Sequence, residues 1–416
     1  MKTPKTLLTP EVLIIGGGPS GLRAAKDIVP FVAGDVLVVE RESEAGGIPR
    51  HSDHPGYGIR DLGRFMNGPA YAKLLCHQAR AAGAKILTDT TVTDWVGDRE
   101  VLATSPQGRL RITARVVILA TGARERPRFS RLIPGERAAG IYTTGHLQNV
   151  VNLKHGRVGT RAVIVGAELV SWSAALTLKE AGCKTVVLTT EYQKPDVYRL
   201  VSMIGKIFFR TKVLTGTRII RIAGKPRVSH VILEDLTTGQ RTTVECDTVI
   251  LTGNWMPDNE LARGAKILLD PSSKAPIVDE SLRTSLPGVF AIGNLVHPVD
   301  TADVAAIDGA FVVAPVLRFL EAQQAETAGY SVLVEKPLRW VSPSRISGDS
   351  RPPRGHLLLW SDWYRAFPLV EITQNGRVIR RRRLLWPSAP GRMFRVPFSI
   401  LDRVEGQKGD VCIRIR

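Results

Sequence analysis

The sequence predicts an α/β chain: two doubly wound units of three-layer ββα type, then a small β-rich appendage. Three observations carry this. Short, wholly apolar runs rich in β-branched residues recur, as at Val12–Ile15, Val36–Val39 and Ala162–Val165, as buried parallel strands require. Glycine-bearing turns that lead into helical patterns follow the first and third of these runs. The last fifth then changes character, with Pro-Pro at 352–353, alternating stretches at 369–373 and 411–415, and Trp340, Trp360, Trp363 and Trp386, which reads as short strands. The units are expected at residues 1–125 with 256–329, at 126–255, and at 330–416.

The stretch 11–47 organises the first unit. After Val12–Ile15 come Gly16, Gly18 and Gly21, with Pro19 and Ser20 between them, and a helical pattern over 22–28. This is the G-x-G-x-x-G of a Rossmann-like unit. Gly16 allows the tight turn, Gly18 lets backbone approach a pyrophosphate, and Gly21 lets helix pack closely on strand. The pyrophosphate is expected on the open N–H groups and positive end of that helix. Val36–Val39 leads into Glu40 and Arg41, with Glu40 placed where an acid bonds a ribose hydroxyl. Glycine turns alone are common. Strand, glycines, helix, strand and terminal acid together are specific.

Gly46 and Gly47 open the loop Ile-Pro-Arg-His-Ser-Asp-His-Pro-Gly-Tyr-Gly at 48–58. Arg50, His51 and His54 are the catalytic candidates, because a cation or an imidazole can stabilise an anion or take a substrate proton. The competing reading is that they, with Asp53, only hold the loop. No further ligand cluster lies nearby in sequence, which counts against a metal at His51 and His54.

A helix is expected over 69–82, one strand over 85–93 that includes Val92, and a hairpin over 101–113. The run from Arg115 ends in Ala120-Thr121-Gly122. The second βαβ unit has a damaged loop: Gly166 keeps the first glycine slot, but Glu168 and Ser171 hold the other two. A carboxylate there adds bulk and like charge where a pyrophosphate would sit, so this unit is expected to bind NAD(P)H poorly or not at all. Hairpin strands follow at 218–222 and 230–236. The chain then returns through 246–261 and 285–294 to Gly293-Asn294, and Thr301-Ala302-Asp303 opens a helix.

The 416 residues suffice for two or three domains, and 44% hydrophobic with 23% charged residues is an ordinary globular balance. No apolar run reaches the roughly 18 residues that span a bilayer, and the first residues hold no signal-peptide core. The expected location is cytoplasmic, with peripheral contact at the inner membrane face as a variant. Cys76, Cys183, Cys246 and Cys412 lie far apart, with no C-x-x-C, so neither a zinc ribbon nor a local thiol pair is written. Sparse cysteine suits a reducing compartment. The formal charge is +18, and residues 335–416 hold 17 Lys plus Arg against 7 acids. That excess is no argument for nucleic acid by itself.

Glu40 followed by Gly46-Gly47, the Ala120-Thr121-Gly122 turn, and the strand ending in Gly293-Asn294 together resemble the pyridine-nucleotide–disulfide oxidoreductase fold, over residues 11 to 320. The segments Gly-Gly-Ile-Pro-Arg-His, Gly-Ala-Arg-Glu-Arg-Pro and Ala-Ile-Gly-Asn-Leu-Val-His-Pro are similar to alpha subunits of heteromeric amine, opine and proline dehydrogenases of the hydrogen cyanide synthase type, and to flavoproteins associated with anaerobic glycerol-3-phosphate dehydrogenase. The resemblance implies FAD. It implies that the Ala-Thr-Gly turn closes on the adenosine half, and Val92 is a further cofactor-binding candidate. Gly293 and Asn294 then lie on the ribityl-phosphate side, with Asn294 where the family has Asp. The helix opened by Thr301, Ala302 and Asp303 points its positive end at the flavin, favouring an anionic reduced form. The two redox cysteines of the disulfide reductases have no counterpart in the loop after Gly47. The cysteines for the C-terminal iron–sulfur module of such subunits are absent too.

The expected function is therefore that of an FAD-dependent oxidoreductase: one member of a heteromeric dehydrogenase that oxidises an amine, imino acid or hydroxy acid. Two alternatives stand beside it, a free-standing NAD(P)H-dependent flavin reductase and a non-catalytic flavoprotein scaffold. The expected partners are a small-molecule substrate and a flavoprotein subunit or other protein held through 330–416, where Arg and Trp concentrate. An anionic membrane surface is the rival for that segment.

Overall fold

The computed structural model describes residues 6–194, 209, 211–298, 300–322, 329–348, 351–406 and 409–416. In the first unit, five parallel strands run in the order Val289–Ala291, Val116–Leu119, Val12–Ile15, Val36–Val39, Lys85–Leu87. The register sets Ile14 beside Ile118 and Val38. All four residues of each of the Val12, Val36 and Val116 strands are buried, which requires cover on both faces. The Pro19–Ile28 helix packs against the Gly68–Ala82 and Ala302–Phe311 helices. The strands Thr6–Leu8, Gly108–Thr113, Glu100–Ser105 and Thr91–Gly97 form a further sheet. Its Val92, Val101, Leu110 and Ile112 share one core with the parallel strands and the Pro19–Ile28 helix.

The single strand expected over 85–93 is two strands in two sheets, Lys85–Leu87 and Thr91–Gly97. Asp89 turns the chain with a φ of 50°. Its N–H donates to the Glu42 carbonyl and that of Thr90 to the Glu40 carbonyl. The break is thus tied to the acid that closes the first βαβ unit.

The second unit repeats the plan with five parallel strands ordered Ile141–Thr143, Thr248–Leu251, Arg161–Val165, Lys184–Thr189, Lys212–Leu214. The Leu169–Glu180 helix and the antiparallel strands Thr217–Ala223, His230–Asp235 and Arg241–Glu245 complete it. Chain passes between the two units twice, and there Ala123–Glu125 pairs antiparallel with Trp255–Pro257.

Residues 329–416 fold around a core of their own, which includes Leu357, Ile372, Phe394 and Ile413. One sheet runs Arg345–Ile346, Tyr330–Val334, Val411–Ile415, Leu369–Gln374, Arg377–Arg383, and the other Leu338–Ser342, His356–Ser361, Phe394–Pro397. Buried Glu371 accepts from Arg381 on the edge strand and from Arg414 on the other side, at 2.7 and 2.8 Å. This unit grips the first one through Arg395 and Arg354, which reach Asp300 at 3.2 and 3.9 Å. A second grip joins Ser347 to Glu280 and Arg283.

Candidate functional site

The first glycine turn is shaped by close approach. Gly16 has a φ of 112°, and a Cβ there would stand 2.4 Å from the Ala120 carbonyl oxygen. A Cβ on Gly21 would stand 2.0 Å from the Gly16 oxygen, so helix lies on strand with no room for a methyl. Gly18 differs from both. A Cβ there meets nothing within 4 Å. Gly18 is the N-cap of the Pro19–Ile28 helix, and no side chain caps that end. The fold itself does not call for glycine at 18, and the helix end there opens onto free space.

Other segments close around that space. The Glu40 carboxylate accepts from the Gly17 and Glu42 N–H groups at 2.8 and 2.9 Å. It thus holds the glycine turn while each oxygen keeps a second lone pair for a hydroxyl. Arg41 reaches instead to Asp258, at 3.1 Å. The Gly46 N–H donates to the Gly17 carbonyl at 2.7 Å, and a Cβ on Gly47 would come 3.0 Å from the Gly18 Cα. Ala120 continues the strand beside Ile15, the Thr121 hydroxyl donates to the Asp258 carbonyl, and Gly122 turns with a φ of 77°. The Val92 side chain is buried in the core of this unit. Gly293 sits against Ser20, where a Cβ would be 2.6 Å from its hydroxyl. Asn294 donates to the Asp300 carbonyl, which leaves its Oδ1 buried with no hydrogen-bond partner among the described residues. Thr301 is the N-cap of the Ala302–Phe311 helix. Asp303 lies in the first turn, takes the Arg60 N–H at 3.1 Å and accepts from the Thr301 hydroxyl. The positive end expected there is therefore partly met by the chain's own carboxylate.

The loop after Gly47 separates its three catalytic candidates. Arg50 donates to the Glu44 carbonyl at 2.6 Å. His54 has both ring nitrogens engaged, by the Ser52 hydroxyl and the Pro55 carbonyl, and its ring lies 5.3 Å from that of Tyr57. His51 is held by its backbone, whose carbonyl accepts from Asn152. Its Nδ1 is buried with no hydrogen-bond partner among the described residues. Burial pushes the His51 pKa below its ordinary value, Gln148 offsets part of this, and Arg50 adds to it. The ring is neutral at pH 7, with one nitrogen able to accept a proton.

The second glycine turn is occupied by its own sequence. Glu168 is the N-cap of the Leu169–Glu180 helix: its carboxylate takes the Ser171 N–H, and the Ser171 hydroxyl takes the Glu168 N–H. Such a reciprocal box takes two of the N–H groups that an anion would otherwise use. The same carboxylate covers Gly253, where a Cβ would lie 2.1 Å from both of its oxygens. From sequence Glu168 reads as a repelling charge, whereas in the fold it is the cap.

Sequence reasoning missed two buried groups. Glu125, at the crossing between the units, takes the Gly145 and Gly253 N–H groups at 3.0 and 3.2 Å. His297 and Asp308 form a fully buried pair at 2.5 Å, and Asp308 also takes the Gly293 N–H. Glu125 and His297 lie within segments that carry the family resemblance, but nothing local marks either as buried. Asp308 does show a signal, as a lone charge within the run Ala305–Val313. The four cysteines are unbonded. Burial pushes the thiol of Cys183 up to about 11, of Cys246 to about 12 and of Cys412 to about 11. Thiolates, the reactive form, are thus disfavoured at these three.

Comparison with known proteins agrees with this geometry. A model of the family described as pyridine nucleotide-disulphide oxidoreductase matches residues 10–309. Thioredoxin reductase of Treponema pallidum is 27% identical over 296 residues, 68% of this chain and 88% of that protein. An opine oxidase subunit of Agrobacterium tumefaciens is 24% identical over 352 residues, 77% of this chain and 68% of that one. Among solved structures, thioredoxin reductase of T. acidophilum superposes with a TM-score of 0.64 at 20% identity, over 76% of this chain and 99% of that chain.

Proposed function

The chain belongs to the pyridine nucleotide-disulphide oxidoreductase family, and from that premise we propose that it is the FAD-bearing subunit of a heteromeric dehydrogenase acting on an amine, imino acid or hydroxy acid. FAD is the cofactor of this family, and the residues present fit it. Gly18 fronts open space at an uncapped helix end, and Asn294 presents a buried, unpartnered oxygen. When bound, the flavin supplies hydride acceptance. The remaining work falls to the chain. The Gly16–Gly21 turn and the first N–H groups of the Pro19–Ile28 helix hold the pyrophosphate. Glu40 accepts a ribose hydroxyl, Asn294 Oδ1 accepts one from the ribityl chain, and Gly47 and Gly122 leave room for both halves. Neutral His51 takes the substrate proton at Nδ1, while Arg50 and His54 keep the loop in place.

The observation that carries this reading is Glu168. A family member in which a carboxylate already caps the second dinucleotide seat draws its electrons from a substrate rather than from NAD(P)H. The opine oxidase relative is by name one subunit of an oxidase, which supports a heteromer. The test is anaerobic reduction of the purified protein by NADH, by NADPH and by a panel of amines, imino acids and hydroxy acids. One panel member is expected to bleach the flavin, and micromolar NAD(P)H to act slowly. Fast, saturable reduction by NADH or NADPH would favour a free-standing flavin reductase instead.

Two further outcomes are expected. Glu168→Gly with Ser171→Gly removes the cap and should tighten dinucleotide binding, read by titration of the protein's fluorescence. No gain in a folded double variant would remove Glu168 from the argument. His51→Gln should slow substrate-driven reduction by about 10²-fold or more. The unaltered protein should gain rate as pH rises through a value below 6.5 and hold it above, because the base works only when neutral. A pH profile unchanged by His51→Gln would assign the proton to another group.

A further inference from the structure

One surface of the appended unit stands apart in composition. Trp363, Tyr364, Arg365, Ala366 and Phe367 are exposed in succession. Arg365 exchanges backbone hydrogen bonds with Ser388 at 2.9 and 3.0 Å, and Leu384 donates to the Pro368 carbonyl, which sets Leu385 and Trp386 beside that run. Leu385 is 80% exposed, Phe367 60% and Trp363 56%. Single exposed apolar residues are ordinary, but a contiguous group of this size marks a binding surface. The Trp386 indole N–H already donates to the Arg395 carbonyl at 2.8 Å, so the ring is fixed before anything docks.

Charge identifies the class of occupant. Among the described residues Arg365, Arg382 and Arg383 stand in no ion pair, and Asp362, the acid nearest in sequence, is engaged by Arg339. Arg382 and Arg383 lie on the Arg377–Arg383 strand, an edge of its sheet, where backbone groups stay open to another chain. A second copy fits badly, because it would bring arginines against arginines on a chain of net charge +18. Lipid would answer the charge but not the open backbone.

We propose that this face docks a protein subunit with an acidic surface, seating the cluster of Trp363, Phe367, Leu385 and Trp386 and placing carboxylates over Arg365 and Arg383. The inference rests on the heteromer reading above and names the surface and the chemistry of the partner. Position favours it as well. Arg395 holds Trp386 through its carbonyl and Asp300 through its guanidinium. Asp300 in turn accepts from Asn294 through its carbonyl, so Arg395 and Asp300 link Trp386 to the Gly293-Asn294 turn.

The test uses the full flavin-loaded chain, tagged in its native host and isolated at about 0.5 M salt, where exposed charge is screened within a few ångströms. The retained protein is identified by mass spectrometry and its acidity read from its sequence. Hydrogen exchange is then compared with and without it. Protection confined to 363–367 and 377–388 is expected. Phe367→Glu with Leu385→Glu should abolish retention, and Arg365→Glu with Arg383→Glu should weaken it at least about tenfold. Flavin content and Tm should stay unaltered in both. Protection elsewhere, retention undiminished by Phe367→Glu with Leu385→Glu, a basic partner, or a lone chain would each overturn the proposal. Binding of phosphatidylserine vesicles at low salt with no retained subunit would give the face to lipid. The functional reading fails separately. Substrate reduction with no docked subunit would keep the dehydrogenase and discard the surface, and docking without substrate reduction would do the reverse.

Discussion

Gly18→Asp is expected to fold and to purify colourless. The Gly18 backbone, at φ −80° and ψ −175°, is open to any residue. An added Cβ meets nothing within 4 Å, so the protein offers no steric objection. Asp is also among the preferred N-cap residues, and it exceeds glycine at that position by about a few tenths of a kcal/mol. The variant apoprotein should therefore melt no lower than the unaltered apoprotein, while its carboxylate takes the seat of the pyrophosphate. It would do to the first turn what Glu168 does to the second. Gly21→Leu is the control with the opposite cause, because its Cβ would collide with the Gly16 oxygen at 2.0 Å and the chain should not reach a soluble fold. Visible absorbance per protein and the apoprotein Tm separate the two. Full flavin content in Gly18→Asp would remove this turn as the cofactor seat.

Asp308→Ala should be the most damaging of the conservative-sized changes outside that turn. It strands the fully buried His297 and takes an acceptor from the Gly293 N–H. Breaking a buried pair from one side costs about 3–5 kcal/mol. Burial opposes the charge on both partners, yet each holds the other ionised. The His297 pKa is raised above 6.5, and that of Asp308 lies below 3.8. The His297 contribution is complete below about pH 6.5 and is lost as pH rises through its raised value. The Asp308 contribution is complete above about pH 4 and is lost as pH falls through its depressed value. The pair thus stabilises most between about pH 4 and 6.5. Urea midpoints should show the unaltered protein losing part of its advantage over Asp308→Ala above that window. A constant difference from pH 5 to 9 would mean that His297 is never charged.

What could be read from sequence was what is written locally. The wholly apolar strands and the Gly16, Gly18 and Gly21 turn each state their geometry within a few residues, and the structure repeats it. The strand over 85–93 misled because the turn at Asp89 is imposed by Glu40 and Glu42, some 50 residues away in the chain. Glu168 was legible as an obstacle but not as a cap. Its partner Ser171 stands at the capping-box spacing with acid and hydroxyl exchanged. The pair of His297 and Asp308, and the Arg354 and Arg395 that reach Asp300, join positions that no local period connects. Of the three candidates in the loop after Gly47, composition could not separate Arg50, His51 and His54. The difference arises from which ring nitrogens the folded loop leaves without a partner.

The Arg377–Arg383 strand has one more effect, on the fate of a newly made chain. An uncovered strand edge is a template for pairing with its own kind, the first step toward insoluble aggregates. Here the last four residues of that edge are consecutive arginines, and two such edges brought together would set their guanidinium rows against each other. The strand is thereby guarded against copies of itself while it stays open to a chain of opposite charge. The edge itself thus carries the charge that opposes pairing between copies.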